Sequence, residues 1–404
     1  LTGSIEDDTL FIEQYANTEL SKGGSFVQKK HIFSLETVVF LVILIVFFAT
    51  FISVMGSASF FKTLMATAHD LLLNTVFFIM AVAVLTGAFA GLLNEFGLVH
   101  WFHLLLDKLM KPLYGLPGIA AMGIISTYFS DNPAIIALAK DKSYISHFEK
   151  WQEPLLCNLG TAFGMGMIVS TFFVAQGGRV GINLLPAVII GNIATTIGSV
   201  VSVRLFSKWT KRKLGSVHKE VDTTEPHYRE IREGNAFERF LEAMLDGGKT
   251  GVDIGIGIIP GVLVISTLVM MLTFGPKDPT IGYQGLPYEG IALFDKIGKI
   301  LFWPLKVLFG FDSPQLIAFP ITCLGSTGAA LALIPRFLDH GLIKPSDVAV
   351  FTAIGMTWSG YLSTHVGMMD ALGYRYLTSK AILSHTIGGI IAGFSANLLY
   401  RLFF

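Results

Sequence analysis

Seven stretches of this chain are apolar over about 20 residues or more, at roughly 33–54, 71–93, 157–176, 183–206, 250–274, 346–368 and 378–403. A helix needs about 20 such residues to cross ~30 Å of hydrocarbon. Inside a bilayer the backbone must satisfy its own hydrogen bonds, which a helix does within one segment. The runs therefore predict an all-α multi-pass membrane protein with the lipid bilayer as its constant partner. Charged residues make up only 14% of the 404 positions, against about 25% in soluble domains. The 29 basic and 29 acidic residues cancel, so bulk charge gives no case for a nucleic-acid partner. Cys157 and Cys323 lie in apolar surroundings and read as small buried hydrophobes, with neither a disulfide framework nor a metal-binding spacing.

Four segments depart from simple spans. Residues 97–114 and 287–309 mix apolar and charged residues at helical spacing. They predict helices lying in the interface, anchored by Trp101 and Trp303. Residues 116–139 and 312–335 are long enough to span, but each is interrupted in the middle. The first carries Ser130, Asp131, Asn132 and Pro133 there; the second carries Gly325, Ser326, Thr327 and Gly328. Pro removes a backbone donor, and Gly, Asn and Asp favour turns. Each segment reads as two half-helices joined by a turn, a re-entrant hairpin. Such backbone survives at that depth only against protein or a wet cavity.

With both segments as hairpins, about 20 of the 29 basic residues fall on one side, against about 9 on the other. The rich side holds the polar tail 1–32, the 94–116 and 140–156 segments, the basic 207–249 linker and the 369–380 turn. The positive-inside bias makes that side cytoplasmic, with the C-terminus outside.

The string Thr-Ala-x-Gly-Met occurs at 161–165 and again at 352–356. The echo extends outward. Pro112, Gly115 and Pro117 precede the first hairpin, as Pro304, Gly310 and Pro314 precede the second. Ser170 and Thr171 match Ser363 and Thr364; Arg204 matches Arg401. Each unit, 71–206 and 250–404, contains a span, an interfacial helix, a hairpin and two more spans. Helix 33–54 is an additional N-terminal crossing. Three crossings per unit is an odd number, so the second copy must enter the membrane upside down. Inverted repeats of this kind mark secondary transporters, with substrate near the midplane.

This order of elements resembles the concentrative nucleoside transporter fold and, more broadly, the nucleoside-recognition (Gate) domain families. These also include the membrane part of ferrous-iron permeases and the spore maturation proteins. The resemblance covers roughly 71–404. At the first hairpin tip the nucleoside carriers have Gly-x-Gly-Gln-Thr-Glu, where this chain has Tyr128, Phe129, Ser130, Asp131, Asn132 and Pro133. The resemblance implies a bacterial inner-membrane location, a small polar solute (nucleoside-like or organic), Na⁺ or H⁺ as coupling ion with no other cofactor, and a trimer or dimer. It leaves a metal-ion permease and a non-transporting envelope or spore-maturation-type factor as alternatives.

The expected binding residues follow from the breaks. Asp131 places a carboxylate at a hairpin turn, costly at mid-membrane unless it meets water, a cation or a positive solute group. Ser130 and Asn132 flank it. Ser326 and Thr327 offer hydroxyls at the second tip, with Thr322 one turn earlier. Thr161 and Gly164 lie in the soft stretch of the first post-hairpin span; Thr357, Trp358 and Ser359 occupy its counterpart, with Trp358 placed to stack on a planar ligand. Ser363, Thr364 and His365 form a polar cluster deep in an apolar run, His365 being able to carry a proton. No esterase, zinc-peptidase or phosphate-loop motif is present, so no catalytic residue is expected.

Overall fold

The computed structural model describes residues 31–140, 142–215 and 231–404, leaving out the side chains of 133, 142, 143, 362 and 363. The described residues form helices and no β-strand. The chain divides into two compact units, 1–53 and 54–404. The apolar 21-residue helix Leu35–Met55 lies in the first except for its last two residues.

The second unit is built from two copies of one pattern. Each begins with a long lead helix, Ser57–Glu95 or Ala236–Thr273, and ends with a closing helix, Leu185–Leu214 or Thr378–Phe403. Each lead helix carries one π-helical turn, at Leu71–Val76 in the first and Val262–Ser266 in the second. Each element packs against its own counterpart. A Cβ built on Gly251 would lie 2.3 Å from the Ala83 carbonyl oxygen, and one on Gly87 2.4 Å from that of Gly247. In the closing pair, a Cβ on Gly198 would lie 2.5 Å from the Gly388 oxygen. Small residues allow this backbone contact where lipid supplies no hydrophobic drive between helices.

Contacts at the ends fix the inversion. On one face Glu95 pairs with Arg232 and Arg239 at 3.4 and 3.7 Å, and Tyr374 donates to Glu153 at 2.6 Å. On the other, Lys62 donates to the Gln284 carbonyl at 3.2 Å and Arg179 pairs with Asp339 at 3.2 Å. The first lead helix therefore ends where the second begins. Both hairpins return to the face they left: Gln152, just past the first, donates to the Gly115 carbonyl at 3.0 Å, and Lys344, just past the second, pairs with Asp312 before it. Arg204 of the first closing helix donates to the carbonyls of Leu113 and Pro112 at 2.7 and 2.6 Å. Asn397 of the second donates to that of Leu308 at 3.2 Å.

Several sequence boundaries are corrected. The lead helices start at Ser57 and Ala236 rather than at 71 and 250, and the first closing helix runs to Leu214 rather than 206. Polar residues continue these helices beyond the apolar run. Asn235 starts one with a capping box, its side chain accepting from Phe237 and Glu238 while Glu238 accepts from its backbone N–H; such caps satisfy orphan donors. The linker assigned to 207–249 thus shrinks to 215–235, of which 216–230 lie outside the described residues, as does most of the 1–32 tail. Among the described residues six helices, Leu155–Val180 counted as one, are long and apolar enough to cross; the seventh run, 346–368, is two helices, Pro345–Thr357 and Tyr361–Ala371. The helix expected over 287–309 is likewise two, Leu293–Ile300 and Phe302–Phe309. Pro304 cannot donate back to the preceding turn, so continuity fails there. Residues 287–292 stay irregular around Glu289, 1% exposed, whose carboxylate accepts from the backbone N–H groups of Lys277, Gln284, Gly285 and Leu286.

Candidate functional site

Both expected hairpins are present. The first pairs Ala120–Phe129 with Pro133–Lys140. At its tip Asp131 accepts from the Asn132 backbone N–H at 2.7 Å. The second descends through Pro314–Ile317 and Ala318–Cys323 and restarts at Thr327–Leu331. Ser326 caps that restart, its hydroxyl accepting from Ala329 N–H at 3.2 Å.

The spans that follow are broken at matching points. The first stops at Thr161 and resumes at Gly166; the second stops at Thr357 and resumes at Tyr361. Just before each restart one residue is left-handed: Met165 at φ 56°, ψ 21° and Gly360 at φ 61°, ψ 24°. A positive φ is uncommon for methionine; it falls at the residue before the restart, as Gly360 does, although the Thr-Ala-x-Gly-Met register pairs Met165 with Met356.

Both tips are bolted to the second broken span. Asn132, 3% exposed, donates from Nδ2 to the Ser359 carbonyl at 2.8 Å. Its Oδ1 is buried and has no partner. Thr327 donates to the Gly355 carbonyl at 2.8 Å. Glycine is required around Asn132: a Cβ on Gly164 would lie 2.1 Å from its Oδ1, and one on Gly360 2.3 Å from its Nδ2.

Between the tips lies a cavity of about 510 Å³. Of the residues expected to bind, Ser130, Asp131, Asn132, Ser326, Thr327, Ser359 and Thr364 line it. Thr161, Gly164, Thr322, Thr357, Trp358 and His365 do not. Thr161, Thr322 and Thr357 each donate to the carbonyl four residues back, at 2.6, 2.6 and 2.7 Å. Trp358 is 6% exposed and reaches the His385 carbonyl at 3.3 Å, so its ring packs within protein. The Ser363 side chain lies outside the described residues. Sequence reasoning missed Met165 and the wall supplied by the second lead helix, Thr250, Asp253, Ile254, Gly257 and Ile258. Asp253 had a visible signal, a carboxylate near the start of the apolar run at 250–274.

His365 belongs to a separate buried network. Its ring lies 4.7 Å from that of His385, and both are 0% exposed. His385 Nε2 lies 2.5 Å from the Thr357 carbonyl. A carbonyl only accepts, so Nε2 carries the proton and Nδ1 accepts from Ser202 at 2.9 Å. Asn158 in turn donates to Ser202 at 2.9 Å. By the same logic His365 donates from Nδ1 to Tyr361 O at 2.5 Å, leaving Nε2 as a buried acceptor without a partner.

Two other cavities contrast with the tip site. One, of about 500 Å³, opens between Leu98–Tyr114, the first hairpin and the first closing helix; its lining is mostly Leu, Ile and Phe, suited to lipid chains. The other, of about 320 Å³, is polar and lies on the face of the Arg179–Asp339 pair. There Tyr288 donates to Asp70, and burial, then the adjacent Asp70 carboxylate, push its hydroxyl pKa up.

This arrangement defines an all-α multi-pass membrane protein with an inverted repeat, an interfacial segment and a re-entrant hairpin in each half. Solved structures of CNTnw, a concentrative nucleoside transporter, share that fold. The inward-facing substrate-bound state covers 92% of this chain and 87% of its own at 13% identity, with a TM-score of 0.54. A CNTnw variant in its intermediate 2 state covers 98% and 87% at 15% identity and 0.52; an outward-facing variant covers 92% and 88% at 12% and 0.51. At these identities the likeness is one of fold. No protein-family model matches the sequence, and no curated protein does.

Proposed function

We propose that this protein is an ion-coupled secondary transporter of a small polar solute, working by alternating access around the cavity between the hairpin tips. The observation that carries the reading is that one polar cavity is lined by both tips, 130–132 and 325–328, and by the second broken span. Irregular backbone at that depth is tolerated where it lines a solute path. The two inverted copies supply the exchange of conformations. In the arrangement described here, Arg179–Asp339 and Tyr288–Asp70 close one face, while the cavity extends along residues 250–258 of the second lead helix. The Lys and Arg bias favours that helix's starting face as cytoplasmic, which makes this state inward-facing. A Gate-type family relationship, an inner-membrane location and a trimer or dimer are the finer parts of the same proposal. The metal-permease alternative finds no ligand set: among the described residues no group of three or more His, Cys, Asp or Glu could hold an ion.

The test is uptake by proteoliposomes of a panel of small polar solutes, uridine included, with and without imposed Na⁺ and H⁺ gradients. Gradient-driven uptake is expected, falling by tenfold or so in Asp131→Ala and in Thr327→Ala with the protein still monodisperse. Each change removes hydrogen bonds worth about 1–3 kcal/mol, and about 1.4 kcal/mol corresponds to tenfold. Unchanged uptake in both variants rejects the site.

A further inference from the structure

We infer that the cavity between the hairpin tips recognises a solute carrying a positive charge, such as an organic ammonium or amidinium, rather than a neutral nucleoside. This deepens the transport reading and rests on it. Two carboxylates, Asp131 and Asp253, line the cavity, and among the described residues its lining contains no Lys, Arg or His. They come from different copies of the repeat, one from the first hairpin tip and one from the second lead helix. Among the described residues the Asp131 carboxylate engages a backbone N–H, that of Asn132. Asp253 has no ion pair among the described residues, although the chain elsewhere pairs carboxylates such as Glu95, Asp246 and Asp295.

A second observation points the same way. Asn132, 3% exposed and lining the cavity, leaves Oδ1 without a donor while its Nδ2 is engaged. Asp131 and Ser326 each accept one backbone N–H, and Asn132 Oδ1 remains as a buried acceptor without a donor. Buried acceptors call for a partner that brings protons. Carboxylates at membrane depth are stabilised when they face a cation. A bare metal ion would fill only a small part of about 510 Å³. An amine-bearing organic solute supplies both the N–H groups and the volume, with the hydroxyls of Thr250, Ser326 and Thr364 left to hold its neutral portion.

The experiment is calorimetric titration of the full chain in nanodiscs with choline, tyramine and agmatine, with uridine as neutral comparison and NaCl titrated alone. At least one amine is expected to bind and uridine is not. Asp253→Asn and Asp131→Asn should each weaken amine binding by about tenfold or more, the scale of a charge-assisted hydrogen bond. Asp253→Glu, which keeps the charge, should retain it, and Glu242→Gln, at an exposed carboxylate of the same helix outside the cavity lining, should leave it unchanged. Uridine binding with no competition from any amine overturns the inference and leaves the transport reading standing. Binding of an amine that is unchanged in both Asn variants, or a response to NaCl with none to the amines, also overturns it. A protein that binds none of these probes and carries no solute in the liposome assay overturns both.

Discussion

Gly164→Ala is expected to abolish solute uptake while leaving the protein folded. The added Cβ falls 2.1 Å from Asn132 Oδ1 and 2.9 Å from Ser359 Oγ, inside any real contact distance. The Asn132 side chain is short and is held at its other end by the Ser359 carbonyl, so it cannot yield without losing that bond. The first hairpin tip must then lift from the second broken span. Overpacking costs about 1–3 kcal/mol, and a lost buried hydrogen bond adds a similar amount. Neither unfolds a chain of this size, but together they remove the tip from the cavity wall. Uptake in proteoliposomes should drop by tenfold or more, with an unaltered gel-filtration profile. Wild-type uptake in Gly164→Ala would mean that the Asn132 contact is not needed for transport.

His385→Leu is expected to destabilise the protein more than any single change to a cavity hydroxyl. The imidazole joins the end of the second broken span, through the Thr357 carbonyl, to the first closing helix, through Ser202. Leucine fills the space but leaves the Thr357 carbonyl without its donor and the Ser202 hydroxyl without its acceptor, at about 1–3 kcal/mol each. Thermal unfolding in detergent should shift down by several degrees. His365→Leu offers the contrast. That ring gives one hydrogen bond to the carbonyl of its own preceding turn and leaves Nε2 unpaired, so its loss should shift unfolding much less. Equal shifts in the two variants would show that ring volume, not hydrogen bonding, is what the pair contributes.

The sequence made the architecture readable because lipid imposes a coarse rule. Runs of apolar residues reported the crossings, and the turn-forming residues at 130–133 and 325–328 reported the hairpins. The glycine-rich stretches 160–166 and 355–360 located the two breaks. Helix ends were harder. Residues 57–70 and 236–249 are helical but polar, so hydropathy falls before the helix does. The site was legible at the tips and obscure beyond them. Threonines within a helix bond back to the preceding turn, as Thr161, Thr322 and Thr357 do, and sequence alone does not separate them from Thr327, whose hydroxyl reaches another element. Asp253 reads as a lone acidic residue in an apolar run, and His385 as the middle of a short polar step, Ser384 to Thr386. Their roles depend on Asp131 and on Ser202, far away in the chain and brought close only by the inverted pairing of the copies.

Accessibility labelling tests that pairing most directly. Single cysteines replacing Lys108, Lys140, Lys306 and His340, all exposed, can be probed with a membrane-impermeant maleimide in sealed vesicles of known orientation. The structure predicts that positions 108 and 140 react from one face, and positions 306 and 340 from the opposite face. Reaction of all four from the same face, or of 108 and 140 from different faces, would contradict the account.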